Sequence, residues 1–192
     1  TLFRSFIAFS YVFLLDKTQY LNHFYLIVLL SFILIFLPAA DAFSADVMMK
    51  RRPAQSTTAR WVRFWLLAQL SIVYIYGGLA KLNPDWLRGS PLDIWLPAQG
   101  SHPYLGPILS HNAAPLLFSY GGLFLDLFIV PFLFWRKTRL LAFLAGLSFH
   151  LLNATIFSIG IFPWFMIAAT ALFFEPDWPR RLNLFNQIGR AS

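Results

Sequence analysis

The chain has 192 residues; 58% are hydrophobic, 19% aromatic and only 12% charged. A soluble domain carries about 25% charged residues, so this composition excludes a water-covered surface and places the chain in a bilayer. A net charge of +7 would suggest nucleic acid on a soluble domain; here its distribution sets orientation, and the absence of cysteine excludes a disulfide framework and thiolate metal sites.

A bilayer core of about 30 Å needs about 20 helical residues. The chain opens at Thr1 with no visible signal peptide, so its first apolar segment, residues 6–15, reads as the remnant of a truncated helix. Further segments follow at about 24–38, 61–80 and 116–135. The run 140–174 contains no Asp, Glu, Lys or Arg. As one helix it would reach about 52 Å, too long for a single crossing. Gly160 and Pro163 offer the break, giving helices near 140–157 and 163–174. Strand-like alternation and internal repeats are absent. Backbone groups in lipid must be satisfied internally, so the expected fold is all-α: a polytopic transmembrane helical bundle of about six membrane segments.

Placing the loop 39–60 in the cytoplasm puts Arg4, Lys50, Arg51, Arg52, Arg60, Arg63, Arg136, Lys137, Arg139, Arg180, Arg181 and Arg190 inside, against Lys17, Lys81 and Arg88 outside. The positive-inside rule favours this topology. The turn 16–23 and the loop 81–112 then share the outer side, where Trp86, Trp95 and Tyr104 suit an interfacial belt. The run Lys50-Arg51-Arg52 suits an inner-leaflet anchor rather than a nucleic-acid patch.

The stretch Tyr76-Gly77-Gly78-Leu79-Ala80-Lys81-Leu82-Asn83-Pro84-Asp85-Trp86 sets one lysine at the end of an apolar run, just before a polar turn. Two readings are open: a lysine snorkelling to the headgroups, or a desolvated amine serving as a general base. Asn22 and His23 close a polar turn on the same predicted side, either an ordinary interhelical loop or a titratable wall facing Lys81. Asp126 and His150 fall deep in predicted helices, each about 15 Å from the basic clusters that mark the inner boundary. Asn153 lies one turn beyond His150 on the same face. Ionisable groups at such depth face a bundle interior, so Asp126 is expected to meet His150 or Asn153, as a structural bond or as the floor of a pocket. His102 and His111 read as exposed loop residues, and Asn153-Ala154-Thr155 matches a glycosylation sequon at a depth that disfavours modification. No spacing for a metal site occurs, and no metal is expected.

Three blocks carry a family resemblance: Leu15-Asp16-Lys17-Thr18 with Asn22-His23; Ile72-Val73-Tyr74 through Gly78, Lys81-Leu82, Asp85-Trp86 and Gly89; and Gly121-Gly122-Leu123, Leu125-Asp126-Leu127, Phe149-His150, Asn153, Phe157-Ser158-Ile159-Gly160, Phe162, Pro176 and Trp178-Pro179-Arg180. In these the chain resembles the vitamin K-dependent gamma-glutamyl carboxylase family in its bacterial form, the HTTM (horizontally transferred transmembrane) domain. The resemblance implies one such domain over residues 1–182, with 183–192 a tail or the start of a further region. It implies an integral membrane enzyme, in a bacterial inner membrane with its site on the periplasmic side. Such an enzyme uses vitamin K hydroquinone or a related reduced quinone, with oxygen and carbon dioxide, to carboxylate a protein or peptide glutamate. The family's base matches Lys81 and its histidine matches His23, with Asn22 beside it; Tyr76, Asp126, His150 and Asn153 are the candidate quinone contacts. Ala80 and Asn83 stand where animal members carry a lysine and an acidic residue. The rival reading is a non-catalytic membrane module that binds lipid or quinone. A transporter is disfavoured by the few intramembrane charges and the lack of an inverted repeat.

Overall fold

The computed structural model describes residues 2–15, 21–37, 49, 60–175 and 178. The expectations for residues 16–20, for Lys50, Arg51 and Arg52, for Pro176 and Arg180 and for the tail 183–192 lie outside the described residues. Among the described residues all regular structure is helical: α1 (Leu2–Leu15), α2 (Asn22–Ile35), α3 (Arg60–Ala80), α4 (Pro84–Leu87), α5 (Leu92–Ala98), α6 (Gly106–Leu109), α7 (Ala114–Phe134), α8 (Arg139–Ile156), α9 (Phe162–Thr170) and a closing 3-10 turn, Ala171–Phe173.

The expectation of about six spans is corrected. Among the described residues three helices, α3, α7 and α8, are long and apolar enough to cross a membrane, with 21, 21 and 18 residues. Helices α1 and α2 are apolar but have 14 residues each, about 21 Å of rise, and Phe162–Phe173 is shorter still.

The chain divides into two compact units, Thr1–Gln69 and Leu70–Ser192. In the first, α1 and α2 pack through aromatic rings, Phe6 on Phe32 at 5.5 Å and Phe9 edge-on to Phe24 at 6.1 Å. These are favourable geometries for aromatic pairs.

The second unit is built around α7. Its buried residues Ser119, Gly122, Leu123, Asp126, Ile129, Val130 and Leu133 recur at three- and four-residue steps, one face of a helix. Helix α8 buries Ala142, Gly146, His150 and Ile156. A methyl group at Gly146 would stand 2.9 Å from Ile129 Cδ1, so glycine sets how closely α8 approaches α7. The break after α8 falls where the sequence suggested, with Gly160 at φ 66°. Helix α9 then buries Pro163, Met166, Ala169 and Thr170. At the far end of α7, Arg139 Nε donates to Leu133 O at 2.9 Å, and Glu175 accepts from Arg139 at 3.4 Å. The segment after α9 is thereby tied to the α7–α8 turn.

The loop 81–112 is not an open loop. It folds into α4, α5 and α6, whose Leu92, Leu96 and Leu109 form a core with Ala114 and Ile156. Gly89 makes the entry turn at φ 90°, where a methyl group would also press on Pro115 Cβ at 3.1 Å. This small core caps one end of α7 and α8.

Within the second unit α3 turns Leu70, Tyr74 and Gly78 inward, at four-residue steps, with Lys81 next on the same face. A methyl group at Gly78 would stand 2.6 Å from Leu127 Cδ2 and 3.1 Å from Leu127 N. The two helices therefore cross at a point where only glycine fits. Gly121, one residue from the buried face of α7, has nothing within 4 Å of the same position. Alanine improves helix propensity by about 1 kcal/mol at either site. We expect Gly121→Ala to leave stability unchanged or raised, and Gly78→Ala to lower it by about 1–3 kcal/mol through overpacking. Thermal unfolding of the two variants in one detergent checks the contrast; equal effects would contradict the crossing.

Candidate functional site

Lys81 does not snorkel outward. Its ammonium folds back along α3, donating to Gly77 O at 3.1 Å and to Asp126 Oδ2 at 2.5 Å. The side chains of this ion pair are 20% and 9% exposed. The packing is reciprocal. A methyl group at Gly77 would lie 3.2 Å from Asp126 Oδ2, and one at Gly122 would lie 3.7 Å from Lys81 Cε. Each charged residue stands four positions after a glycine, and each lies over the glycine of the opposite helix. Antiparallel α3 and α7 are thus brought close enough for the short aspartate and the folded lysine to meet.

The turn after Lys81 holds this arrangement. Asn83 Nδ2 donates to Ala80 O at 2.8 Å, closing α3, while Asn83 Oδ1 accepts from Trp86 N at 2.9 Å, opening α4 with Pro84 in its first turn. Trp86 is then fixed by its indole N–H, which donates to Ser119 O at 2.9 Å, and by the Ser119 hydroxyl, which donates to Trp86 O. Its ring lies 5.4 Å from Lys81 Nζ, within cation–π range. Trp86 is therefore a wall of the site, whereas Trp95 and Tyr104 are exposed.

The expectation that Asp126 meets His150 or Asn153 is corrected. Asp126 bonds Lys81. His150 Nε2 instead lies 3.0 Å from Tyr74 Oη, which is 2.7 Å from Thr170 Oγ1. Asn153 Nδ2 donates to Phe149 O at 2.9 Å within its own helix. Depth counted from the basic clusters treated helices as level and upright; the α3–α7 crossing and the backward fold of Lys81 carry the ammonium to Asp126. Tyr74 and Thr170 were missed because an aromatic and a threonine in apolar runs read as core. The glycines before Lys81 and Asp126 were the available signal for the ion pair.

Tyr76 is 69% exposed, one of the outward residues of α3. Asn22 opens α2 in the first unit, and His23 follows it with its ring 4.7 Å from that of Phe24. His102 and His111 accept hydrogen bonds from nearby backbone N–H groups through Nδ1, serving their own turns.

The pair retains hydrogen-bonding capacity. Ammonium has three protons and carboxylate two oxygens. The bonds above use two of the protons and one of the oxygens; among the described residues none bonds the third proton or Oδ1. A hydroxyl, both donor and acceptor, fits such a set, and the Trp86 ring beside it offers a flat apolar surface.

Asn83→Ala should cost about 1 kcal/mol, the usual loss for an N-cap. Asn83→Asp, which keeps the acceptor toward Trp86, should retain most of that stability. Melting temperatures of the three proteins test the cap; an alanine variant as stable as the parent would contradict it.

No solved structure matches the chain. The HTTM domain family model matches residues 2–178, which takes in both units and every candidate residue above. With three helices able to cross a bilayer, the chain is an integral membrane protein and belongs to the HTTM domain family.

Proposed function

We propose that the Lys81–Asp126 pair is the proton-handling centre of a vitamin K-dependent gamma-carboxylase-like membrane enzyme. The observation that carries this reading is a nearly buried ion pair with unused bonding capacity, at a glycine-lined helix crossing in an apolar bundle. The resemblance assigns the base to Lys81, and the pairing bears on how it could act. A lysine bonded to a carboxylate works as a base only if the pair acts as a unit. The proton on Nζ moves to Asp126 Oδ2, leaving an amine beside a carboxylic acid. In a low-dielectric interior this neutral form competes with the ionised one, since two desolvated charges vanish together. The Nζ lone pair then accepts the proton of a bound hydroxyl, and the new ammonium provides the counter-charge. Trp86 offers a flat surface to the ring, and the apolar bundle excludes water.

A reduced vitamin K-type quinone, with oxygen and carbon dioxide, would supply the oxidation that drives carboxylation of a protein or peptide glutamate. The roles of Asn22 and His23 rest on the resemblance. The charge distribution supports a site on the outer side of the membrane, facing the periplasm or a lumen; the bacterial inner membrane rests on the resemblance. The second reading, a membrane module that binds quinone or lipid without turnover, is favoured by the pair's stability as a structural tie.

Epoxide detected by mass spectrometry, after membranes carrying the protein are incubated with vitamin K hydroquinone and oxygen, separates the readings. Lys81→Ala should lower epoxide formation about 10²–10⁴-fold, the range for a positioned base. Lys81→Arg should not restore it, because guanidinium stays protonated. An arginine variant that keeps most of the activity would make Lys81 an electrostatic anchor. Hydroquinone binding without epoxide in the parent protein would favour the non-catalytic module.

A further inference from the structure

The second buried polar cluster of the unit has a fixed hydrogen-bond direction. Thr170 Oγ1 lies 2.7 Å from Met166 O and donates to it, since a carbonyl can only accept. The threonine hydroxyl has one proton, so the 2.7 Å contact with Tyr74 Oη requires Tyr74 to donate. Tyr74 also has one proton. Its 3.0 Å contact with His150 Nε2 therefore requires the imidazole to donate. The donors run in one line, from His150 to Tyr74 to Thr170 to the Met166 carbonyl, across α8, α3 and α9.

His150 is 3% exposed, and among the described residues no carboxylate bonds it; a buried cation without a partner is strongly disfavoured, so the ring is neutral. A neutral imidazole has one N–H, which the line of donors places on Nε2. Nδ1 then carries a lone pair, and among the described residues no group donates a hydrogen bond to it. The rings of Phe149 and Phe162 stand edge-on to the imidazole at 5.3 and 6.2 Å. The same Phe149 ring lies 3.6 Å from the methyl position of Gly122, the surface that also carries the Lys81 stem. The base is thus oriented by a fixed second group, the arrangement that makes an imidazole a directed acceptor.

We propose that His150 Nδ1 is a second hydroxyl-recognition atom of this unit, accepting a hydrogen bond from an apolar aromatic alcohol, with Tyr74 and Thr170 as positioning residues that set its tautomer. The inference rests on the reading of the unit as a hydroquinone site and adds an atom to it.

Nitrogen-15 NMR of the full chain, histidine-labelled and held in lipid nanodiscs, tests it. The chain has four histidines, and the signal lost in His150→Gln assigns the one needed. The probe is trimethylhydroquinone under anaerobic conditions; its dimethyl ether, which lacks the hydroxyl protons, is the control. The parent protein should show His150 with the proton on Nε2, and the hydroquinone, not the ether, should move the Nδ1 resonance. His150→Gln keeps an N–H toward Tyr74 but has no acceptor at the position of Nδ1; it should weaken hydroquinone binding about tenfold, the upper range for one neutral hydrogen bond. Tyr74→Phe should yield a mixture of the two tautomers. A proton found on Nδ1 in the parent protein would overturn the proposal, as would a hydroquinone that binds without moving Nδ1. The second result would leave the Lys81–Asp126 reading standing. Failure of the hydroquinone to bind the parent protein at all would end both.

Discussion

The second unit depends on two unlike charges that meet inside an apolar bundle. A carboxylate or an ammonium taken from water alone carries a penalty of several kcal/mol. Asp126 and Lys81 therefore each need the other, and the helices that carry them must come close enough to allow it. Gly77 and Gly122 supply the space where the partner's side chain lies, and Gly78 allows α3 to touch the backbone of α7 at Leu127. The turn through Asn83 and Trp86 then closes over the ammonium. Most of the motif around Lys81 is explained by the needs of this one contact.

The same face of α3 serves two polar clusters. Lys81 ends the helix against α7, and Tyr74, two turns earlier, bonds α8 and α9 through His150 and Thr170. Polar bonds between helices are modest in lipid, about 0.6–2 kcal/mol each. Their value here is directional: they fix which atom of each group is committed to the fold and which is left over. The left-over atoms, Asp126 Oδ1, one Lys81 proton and His150 Nδ1, are where chemistry or recognition can enter.

Parts of this were legible in the sequence. The uncharged run 140–174 and its Gly160–Pro163 break gave α8 and α9 almost to the residue, because charge and glycine punctuate helices locally. Lys81 and Asp126 stood out because charge in an apolar run is costly. Their pairing did not, since it depends on where two helices cross, which no local pattern encodes. The short helices α4 to α6 were hidden in a segment dense with proline and glycine. Tyr74 and Thr170 were hidden by their own amphipathic character, which passes for core until a hydrogen-bond partner is seen. The excess of expected spans came from reading apolar segments of 10–17 residues as crossings.

The central claim is that Lys81 and Asp126 stabilise the fold as a pair, and a double-mutant cycle in lipid nanodiscs tests it most directly. Unfolding free energies are compared for the parent, Lys81→Met, Asp126→Leu and the double variant. Each single change strands a charge and should lose about 3 kcal/mol or more, while the double variant, with two apolar side chains facing each other, should recover much of that loss. Single losses that simply add in the double variant would show that the two residues do not interact and would contradict the account.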